Sequence, residues 1–449
     1  MRILILGAGE AGQNLAMRTS QEKHDIVIVD NAAEPLHEIQ AELDIQTVQG
    51  DASSPRVLEQ AGVRNADLVV AVTDSDETNI LACAFANMAG VRHKVARVAS
   101  PDYIYAKEPF DIRSFGIDLV ISQKEECARE LFNILRMPGT LESVDLLDGQ
   151  AVAVGIKVHM DSPLVVTRLK NFPKPELLER IRFIAFMRGD DLMIPKGDTQ
   201  FMIGDDVYAI GTPADIRTFI EWACPEHANF EKIIIAGGGD IGFQLAQLLE
   251  TTGMQIVLIE KDEARAEECS KRLEKTLVIR GDALDRDTLE NIGIVKGTAC
   301  VAVTGSDENN IIIGLLGEKE GVNFTLAHVS KPEYAPIINN LSLLDRAVSA
   351  HTSMINAILH FIRGKNVKAA TLLHRLPGEL LEVDIPPVSP WGGQAIKDLR
   401  IPKGIFIGTV SRGGEIRPAT GDLVLESGDR LVVFALPESV SKLDAVIRK

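Results

Sequence analysis

Gly7-Ala8-Gly9-Glu10-Ala11-Gly12 follows directly on the apolar run Ile3-Leu4-Ile5-Leu6, and the pattern returns as Gly237-Gly238-Gly239-Asp240-Ile241-Gly242, 230 residues later. At the same shift Asp30, which closes the next apolar run, meets Glu260. Gly50-Asp51-Ala52 then meets Gly281-Asp282-Ala283, and Thr73-Asp74-Ser75-Asp76-Glu77-Thr78-Asn79 meets Thr304-Gly305-Ser306-Asp307-Glu308-Asn309-Asn310, both at a shift of 231. A single residue inserted in a surface loop accounts for the change of phase. Chance does not keep four motifs in order, so the chain is an internal duplication.

A glycine pattern of this kind is weak evidence alone. Here it stands after a strand, opens a helix, and is followed by an acid at the end of the next strand, twice over. That is the context of a dinucleotide-binding turn. Gly7 permits the tight turn, Gly9 lets backbone N–H groups approach a pyrophosphate, and Gly12 lets the helix pack close to the sheet. Asp30 falls where a carboxylate accepts from ribose hydroxyls, and its charge opposes a 2′-phosphate, so NAD(H) is favoured over NADP(H). Gly237, Gly239, Gly242 and Glu260 make the same case for the second half. Asp51 and Asp282 follow the third strand, where adenine would lie; turn formation is the alternative reading for such Gly-Asp pairs. Thr73 and Asp74 sit over the nicotinamide-ribose end, with an N-cap for the following helix as the alternative. Arg97 ends the fifth strand and is a candidate phosphate partner; its counterpart is His328, so the halves differ in charge. Glu10 and Asp240 place a carboxylate in each glycine loop, which disfavours a triphosphate relative to NAD(H) or ADP.

Ile3–Leu6, Ile26–Val29, Thr47–Gln49, Leu68–Ala71, Val95–Val98 and Leu119–Ile121 are short β-rich runs, as buried parallel strands require. Amphipathic helices such as Asp76–Met88 lie between them, so each glycine-motif unit reads as a complete Rossmann sheet. Weaker repeats follow. Ser162-Pro163 pairs with Ser389-Pro390, and Lys170-Asn171-Phe172 with Lys397-Asp398-Leu399. Arg188-Gly189, Gly197-Asp198, Gly204-Asp205 and Pro213 pair with Arg412-Gly413, Gly421-Asp422, Gly428-Asp429 and Pro437 at a shift of 224. In the first of these units Phe183–Met187, a turn at Gly189-Asp190-Asp191, and Leu192–Ile194 predict a hairpin. Val207–Ile210 and Pro213–Trp222 predict a last strand and a closing helix. The expected units are 1–138, 139–225, 230–366 and 367–449, with a hinge over Ala223–Glu231.

The net charge of −17 argues against a nucleic-acid partner and against adhesion to an anionic bilayer. No apolar run approaches the roughly 18–20 residues that span one, so any membrane role is expected to run through a protein partner. The first strand begins at residue 1, from which no signal peptide is expected. The five cysteines are scattered, with no Cys-x-x-Cys, and read as core residues of a reducing compartment. No zinc-type histidine spacing, P-loop or Gly-x-Ser-x-Gly elbow occurs. The small units carry no acid–base cluster of the kind a dehydrogenase needs. Nucleotide binding without turnover, a sensor, is therefore the expectation. An NAD-dependent dehydrogenase with an unrecognised substrate site stays open as the alternative.

The ordered set Gly7–Gly12, Asp30, Gly50-Asp51-Ala52, Thr73-Asp74, Ala96-Arg97-Val98 and Ser100-Pro101-Asp102-Tyr103, largely repeated in the second half, resembles the RCK proteins that regulate potassium conductance. Duplication within one chain is similar to the tandem RCK regulatory subunits of Trk-type potassium uptake systems. The resemblance covers essentially the whole chain. It implies an α/β fold of two tandem Rossmann-fold (RCK N-type) domains, each followed by a small α/β (RCK C-type) domain. It further implies a non-enzymatic gating subunit at the cytoplasmic face of the membrane. Such subunits assemble as a ring, typically a tetramer of tandem chains, on a membrane K⁺-translocating subunit. By carry-over the first site, for NAD(H) or for ATP or ADP, is Gly7, Ala8, Gly9, Glu10, Ala11, Asp30, Asp51, Thr73, Asp74 and Arg97. The second uses Gly237, Gly239, Gly242, Glu260 and Asp282. The crossover segments Ser122–Leu135 and Ala350–Ile362 would make dimerising contacts, with internal core as the alternative. Regulation of a different ion transporter is a further alternative.

Overall fold

The computed structural model describes residues 1–21, 24–160, 162–165, 168–189, 191–224, 230–341, 343–363, 369–372, 376, 378–436, 439, 442–443 and 447. Most of the hinge, together with Asp190 and Pro437, lies outside the described residues.

The first unit contains β1 (Arg2–Leu6), β2 (Asp25–Asp30), β3 (Gln46–Gln49), β4 (Leu68–Ala71), β5 (His93–Arg97) and β6 (Leu119–Ile121). They form one parallel sheet in the order β3-β2-β1-β4-β5-β6. After β1 the chain runs outward to β3 and then crosses back to β4. This reversal leaves a crevice at the C-terminal ends of β1 and β4, where open α/β sheets bind ligands. Every residue of β4 is buried, as expected for a central strand with helices over both faces.

The small unit pairs β7 (Thr140–Leu146), β8 (Ala151–Lys157), β9 (Arg182–Arg188), β10 (Asp191–Met193) and β11 (Asp206–Gly211) as an antiparallel sheet in the order β10-β9-β11-β8-β7. The predicted hairpin is β9–β10, and the closing helix runs Pro213–Ala223.

The second half repeats both sheets. β12 (Lys232–Ala236), β13 (Gln255–Glu260), β14 (Thr276–Arg280), β15 (Thr298–Ala302), β16 (Phe324–Val329) and β17 (Arg346–Ser349) are ordered β14-β13-β12-β15-β16-β17. β18 (Ala369–Leu372), β19 (Glu379–Asp384), β20 (Ile405–Arg412), β21 (Glu415–Pro418) and β22 (Arg430–Ala435) are ordered β18-β19-β22-β20-β21.

The weakly repeated residues of the small units are the ones that hold them together. Arg188 grips Asp205 with Nε–Oδ1 of 2.9 Å and an NH2–Oδ2 of 2.7 Å, and Arg412 grips Asp429 at 2.8 Å through both arms. Lys170 pairs with Asp198 at 2.7 Å and Lys397 with Asp422 at 2.6 Å. Ser162 Oγ donates to the Ala223 carbonyl and Ser389 Oγ to that of Ile447, both at 2.8 Å.

Asp429 is buried. Burial alone would raise its carboxyl, but the bonds from Arg412 and the Glu426 N–H outweigh that and hold it below the usual carboxylate range. A depressed native value gives stability that is complete above the unfolded carboxyl's pKa of about 4, and that is lost as pH falls through the native value. Asp429→Asn should therefore cost about 1–3 kcal/mol at neutral pH. The gap between variant and wild-type melting temperatures should narrow in acid. A gap independent of pH would contradict the assignment.

The halves interlock. The first crossover helix, Gln123–Arg136, leaves the first sheet and buries Cys127, Ala128, Leu131, Ile134 and Leu135 against Ile233, Phe243 and Leu245 of the second Rossmann unit. The second, Ala350–Arg363, returns the exchange, packing Met354, Ile355, Ile358, Leu359 and Ile362 onto Ile3, Leu15 and Ile121 of the first. The two helices also touch each other, and Ser353 Oγ donates to Glu130. The dimerising contacts expected of these segments thus lie inside one chain, between its halves, and are core as well as interface. The small sheets likewise share a core through Ile184, Tyr208, Ile210, Leu380, Val432 and Phe434.

All five cysteines are buried free thiols. Burial pushes Cys83 and Cys300 up to about 12, so neither carries a reactive thiolate near neutral pH. Among the described residues no helix is long and apolar enough to cross a membrane.

Candidate functional site

The crevice of the first sheet opens into a cavity of about 880 Å³, towards the upper end of the roughly 300–1,000 Å³ usual for ligand pockets. Gly7, at the end of β1, has φ +107°, and a Cβ there would lie 3.0 Å from the Thr73 backbone nitrogen. A Cβ on Gly12 would stand 1.8 Å from the Gly7 carbonyl oxygen, so the helix beginning at Glu10 reaches its place only with glycine there. Gly9 differs: nothing lies within 4 Å of an added Cβ, which would stand in open space at the cavity wall.

Asp30 does more than face the ligand space. Its Oδ2 accepts from the Ala8 N–H at 2.6 Å and its Oδ1 from Ala32 at 2.8 Å, so the carboxylate pins the glycine loop to the end of β2. Each carboxylate oxygen has a second lone pair free for a ribose hydroxyl. Asp51 lines the cavity and also closes a turn, accepting from the N–H and hydroxyl of Ser53, both at 2.8 Å. Those bonds hold its carboxyl below the usual range. The turn reading of the Gly-Asp pair is realised, at a residue that also faces the cavity.

Thr73 is not the cap of the following helix. Ser75 is, accepting from the Thr78 N–H at 3.1 Å. Thr73 is instead held by buried Asn79, whose Oδ1 accepts from the Thr73 N–H at 3.0 Å and its hydroxyl at 2.7 Å. Asn79 Nδ2 donates in turn to the carbonyls of Thr73 and Arg97, both at 2.9 Å. One amide thus ties the ends of β4 and β5 together below the cavity. Asn310 repeats the arrangement with Thr304 and His328 in the second half. Arg97 lines the cavity with NH1 3.1 Å from Asp74 Oδ1, a solvent-exposed carboxylate that an incoming anion could displace. Ala8 is buried beneath the loop, whereas Ala11, also largely buried, lines the cavity together with Glu10.

Among the lining residues that sequence reasoning missed, which include Asn31, Pro35 and Val72, are Gln123 and His351, which stand at the starts of the two crossover helices. His351 belongs to the second half, and its Nε2 lies 3.9 Å from Glu10 Oε1. The first site is therefore completed by the other half of the chain.

In the second half Glu260 pins its loop as Asp30 does, accepting from Gly238 at 2.6 Å and Asp262 at 2.8 Å. Gly237 has φ +114°, and a Cβ on Gly242 would meet the Gly237 carbonyl oxygen at 1.9 Å. The surroundings differ. Lys124, the counterpart of His351, sits 2.6 Å from Asp240, and Lys261 sits 2.8 Å from Asp282. Arg265, where the first half has Pro35, lies across the loop, with Nε donating to the Gly238 carbonyl at 2.6 Å and NH2 3.6 Å from Asp240. Lys124 and Lys261 hold the Asp240 and Asp282 carboxyls below their usual range. The sequence argument that a loop carboxylate repels a triphosphate thus loses its force at Asp240, which two cations neutralise.

Comparison with known proteins follows the same four units. The TrkA-N domain family matches residues 3–123 and 233–350, and the TrkA-C domain family residues 153–223 and 380–448. The chain is 32% identical over 440 residues to the Trk system potassium uptake protein TrkA of Halomonas elongata, covering 97% of this chain and 96% of that one. It is 32% identical over 454 residues to the protein of the same name from Vibrio alginolyticus, covering 100% and 99%. Among solved structures it resembles the GsuK RCK domain, with a TM-score of 0.60 and 19% identity over 100% of this chain and 95% of that one. The GsuK channel bound to NAD gives a TM-score of 0.60 at 20% identity, over 100% and 79%. At those identities the likeness is one of fold.

Proposed function

This chain belongs to the TrkA family, and on that premise we propose that it is a nucleotide-binding regulatory subunit of a Trk-type potassium uptake system. One observation carries the proposal: the first Rossmann unit keeps an open cavity at its switch point, and the helix bearing His351 reaches it from the other half. A ligand in that cavity touches both halves, so its binding energy depends on how they are docked. Differential binding of this kind shifts a conformational equilibrium without chemistry.

The ligand the first site fits is NAD(H), with ADP or ATP as competitors. The loop N–H groups from Gly7 to Gly12 would meet its pyrophosphate, Asp30 a ribose, Asp51 the adenine, and Thr73, Asp74 and Arg97 the far end. Gly237, Gly239, Gly242, Glu260 and Asp282 would serve in the second unit. We take the units as 1–138, 139–225, 230–366 and 367–449, assembled as a tetrameric ring at the cytoplasmic face of a K⁺-translocating membrane protein. The chain itself would carry out no reaction.

Deletion of the chain should lower K⁺ uptake by cells at low external K⁺. Wild type should restore it, and Gly12→Ala should not. Uptake that is indifferent to the deletion would overturn the proposal, and a change confined to K⁺ efflux would favour the regulator of a different transporter.

A further inference from the structure

A further cavity, of about 1090 Å³, lies between the halves of the chain. It is walled by the helix from Glu10, the two crossover helices, β7 of the first small sheet and β17 of the second Rossmann sheet. Six carboxylates line it, Glu10, Glu126, Glu130, Glu142, Asp145 and Glu333, against three guanidiniums, Arg18, Arg129 and Arg346. Arg18 and Arg129 are exposed, whereas Glu126 and Glu130 are half-buried and Glu142 is buried, so the deeper charge is negative. Glu126 and Glu130 stand about one turn apart on the first crossover helix. Burial, with the charges of Glu125 and Glu130 beside it, raises the Glu126 carboxyl above the usual range, and Arg129 at 3.6 Å offsets this only in part.

The second half contributes a hydroxyl with nothing to bond. Ser349, at the end of β17, lines the cavity and is 2% exposed, and its Oγ has no hydrogen-bond partner among the described residues. A hydroxyl buried in this way is costly unless a ligand or water meets it. Ile121, Ile134, Val348 and Phe361 add apolar wall to the same cavity.

A single metal ion does not suit this arrangement, because among the described residues no three carboxylate, histidine or cysteine side chains converge as a metal requires. The negative charge is instead distributed over several elements, with apolar surface beside it. A molecule with cationic ends and a hydrocarbon middle matches both features. Its ammonium groups would donate charge-assisted hydrogen bonds to carboxylates, and its methylenes would cover the apolar wall.

We propose that this cavity binds an aliphatic diamine or polyamine, held by Glu126, Glu130 and Glu142, with the Ser349 hydroxyl accepting from an ammonium group. Such a ligand touches β7, the first crossover helix and the end of β17, and so bridges the two halves and the first small unit. Glu10 lines this cavity and the nucleotide cavity alike, so a cation bound here also offsets negative charge at the nucleotide mouth.

The test is calorimetry of spermidine against the full-length protein at fixed ionic strength, with butylamine and Mg²⁺ as comparison probes. The expected result is one spermidine per chain, with butylamine, which has a single cationic end, bound about tenfold more weakly or worse. Glu126→Gln and Glu142→Gln should each weaken spermidine about tenfold, the loss expected of one charge-assisted hydrogen bond. Ser349→Ala should also weaken it, yet leave the melting temperature unchanged or higher, since its hydroxyl has no protein partner to lose. That variant decides the matter even where a glutamate variant fails to fold. Four results would overturn the proposal. They are no saturable binding, many weak sites indifferent to all three substitutions, butylamine bound as tightly as spermidine, or Mg²⁺ displacing spermidine with the same sensitivity to the variants. The second would reduce the effect to attraction by the net charge of −17, and the last would make the cavity a metal site.

Discussion

Leu359→Asp is expected to detach the second crossover helix from the first Rossmann unit, at a cost of about 4 kcal/mol or more. Leu359 is 1% exposed and packs among side chains of the opposite half, including Ile3, Leu15 and Ile121. A carboxylate there would stand among the apolar side chains of this cluster and cannot reach water without moving the helix. Leu359→Ala should cost about 2–5 kcal/mol through the cavity it leaves, and Leu359→Met less than about 1.5 kcal/mol. The same helix carries His351 at the mouth of the first cavity, so nucleotide affinity should fall along with stability. Thermal melting, limited proteolysis and nucleotide titration on one set of variants would check both effects. A destabilised variant that still binds nucleotide normally would contradict the composite site.

Gly12→Ala is the second large effect. The added Cβ would lie 1.8 Å from the Gly7 carbonyl oxygen, and that neighbour is backbone, unable to rotate aside. The helix from Glu10 to Gln21 must lift from the sheet, and a loss of about 3 kcal/mol follows from overpacking of this severity. The loop N–H groups move with it, so binding at the first site should disappear. Gly9→Ala separates the two roles. Its Cβ meets nothing within 4 Å, so stability should change by less than about 1 kcal/mol while the methyl group intrudes on the ligand space. Equal losses of stability in both variants would show that the glycines serve packing alone.

Much of this architecture was legible in the sequence because its requirements are local. Gly7 and Gly12 answer to a positive φ and a close approach, and the buried strands answer to helices on both faces. The six apolar runs read as strands of the first unit are the six strands of its parallel sheet. Other features have no local signature. The apolar stripe of a crossover helix says that it is buried but not against which sheet, so the exchange between halves emerges only in three dimensions. Pro35 and Arg265 occupy one position in the repeat, as do His351 and Lys124, yet no motif marks them. Their meaning lies in what stands opposite. Asn79 and Asn310 are the contrary case. They closed the quoted repeat Thr73–Asn79 and could have been singled out there, since a buried amide retained beside two strand ends must bond backbone.

The central claim is that the first Rossmann unit binds a nucleotide as a signal and leaves it unchanged. Titration of NADH into the full-length protein, followed by calorimetry and by nicotinamide absorbance in the presence of a metabolite panel, tests it most directly. The account predicts saturable binding that is lost in Gly12→Ala, with no change in absorbance over time. Steady oxidation of NADH by any member of the panel, or the absence of affinity for every adenine nucleotide tried, would contradict it.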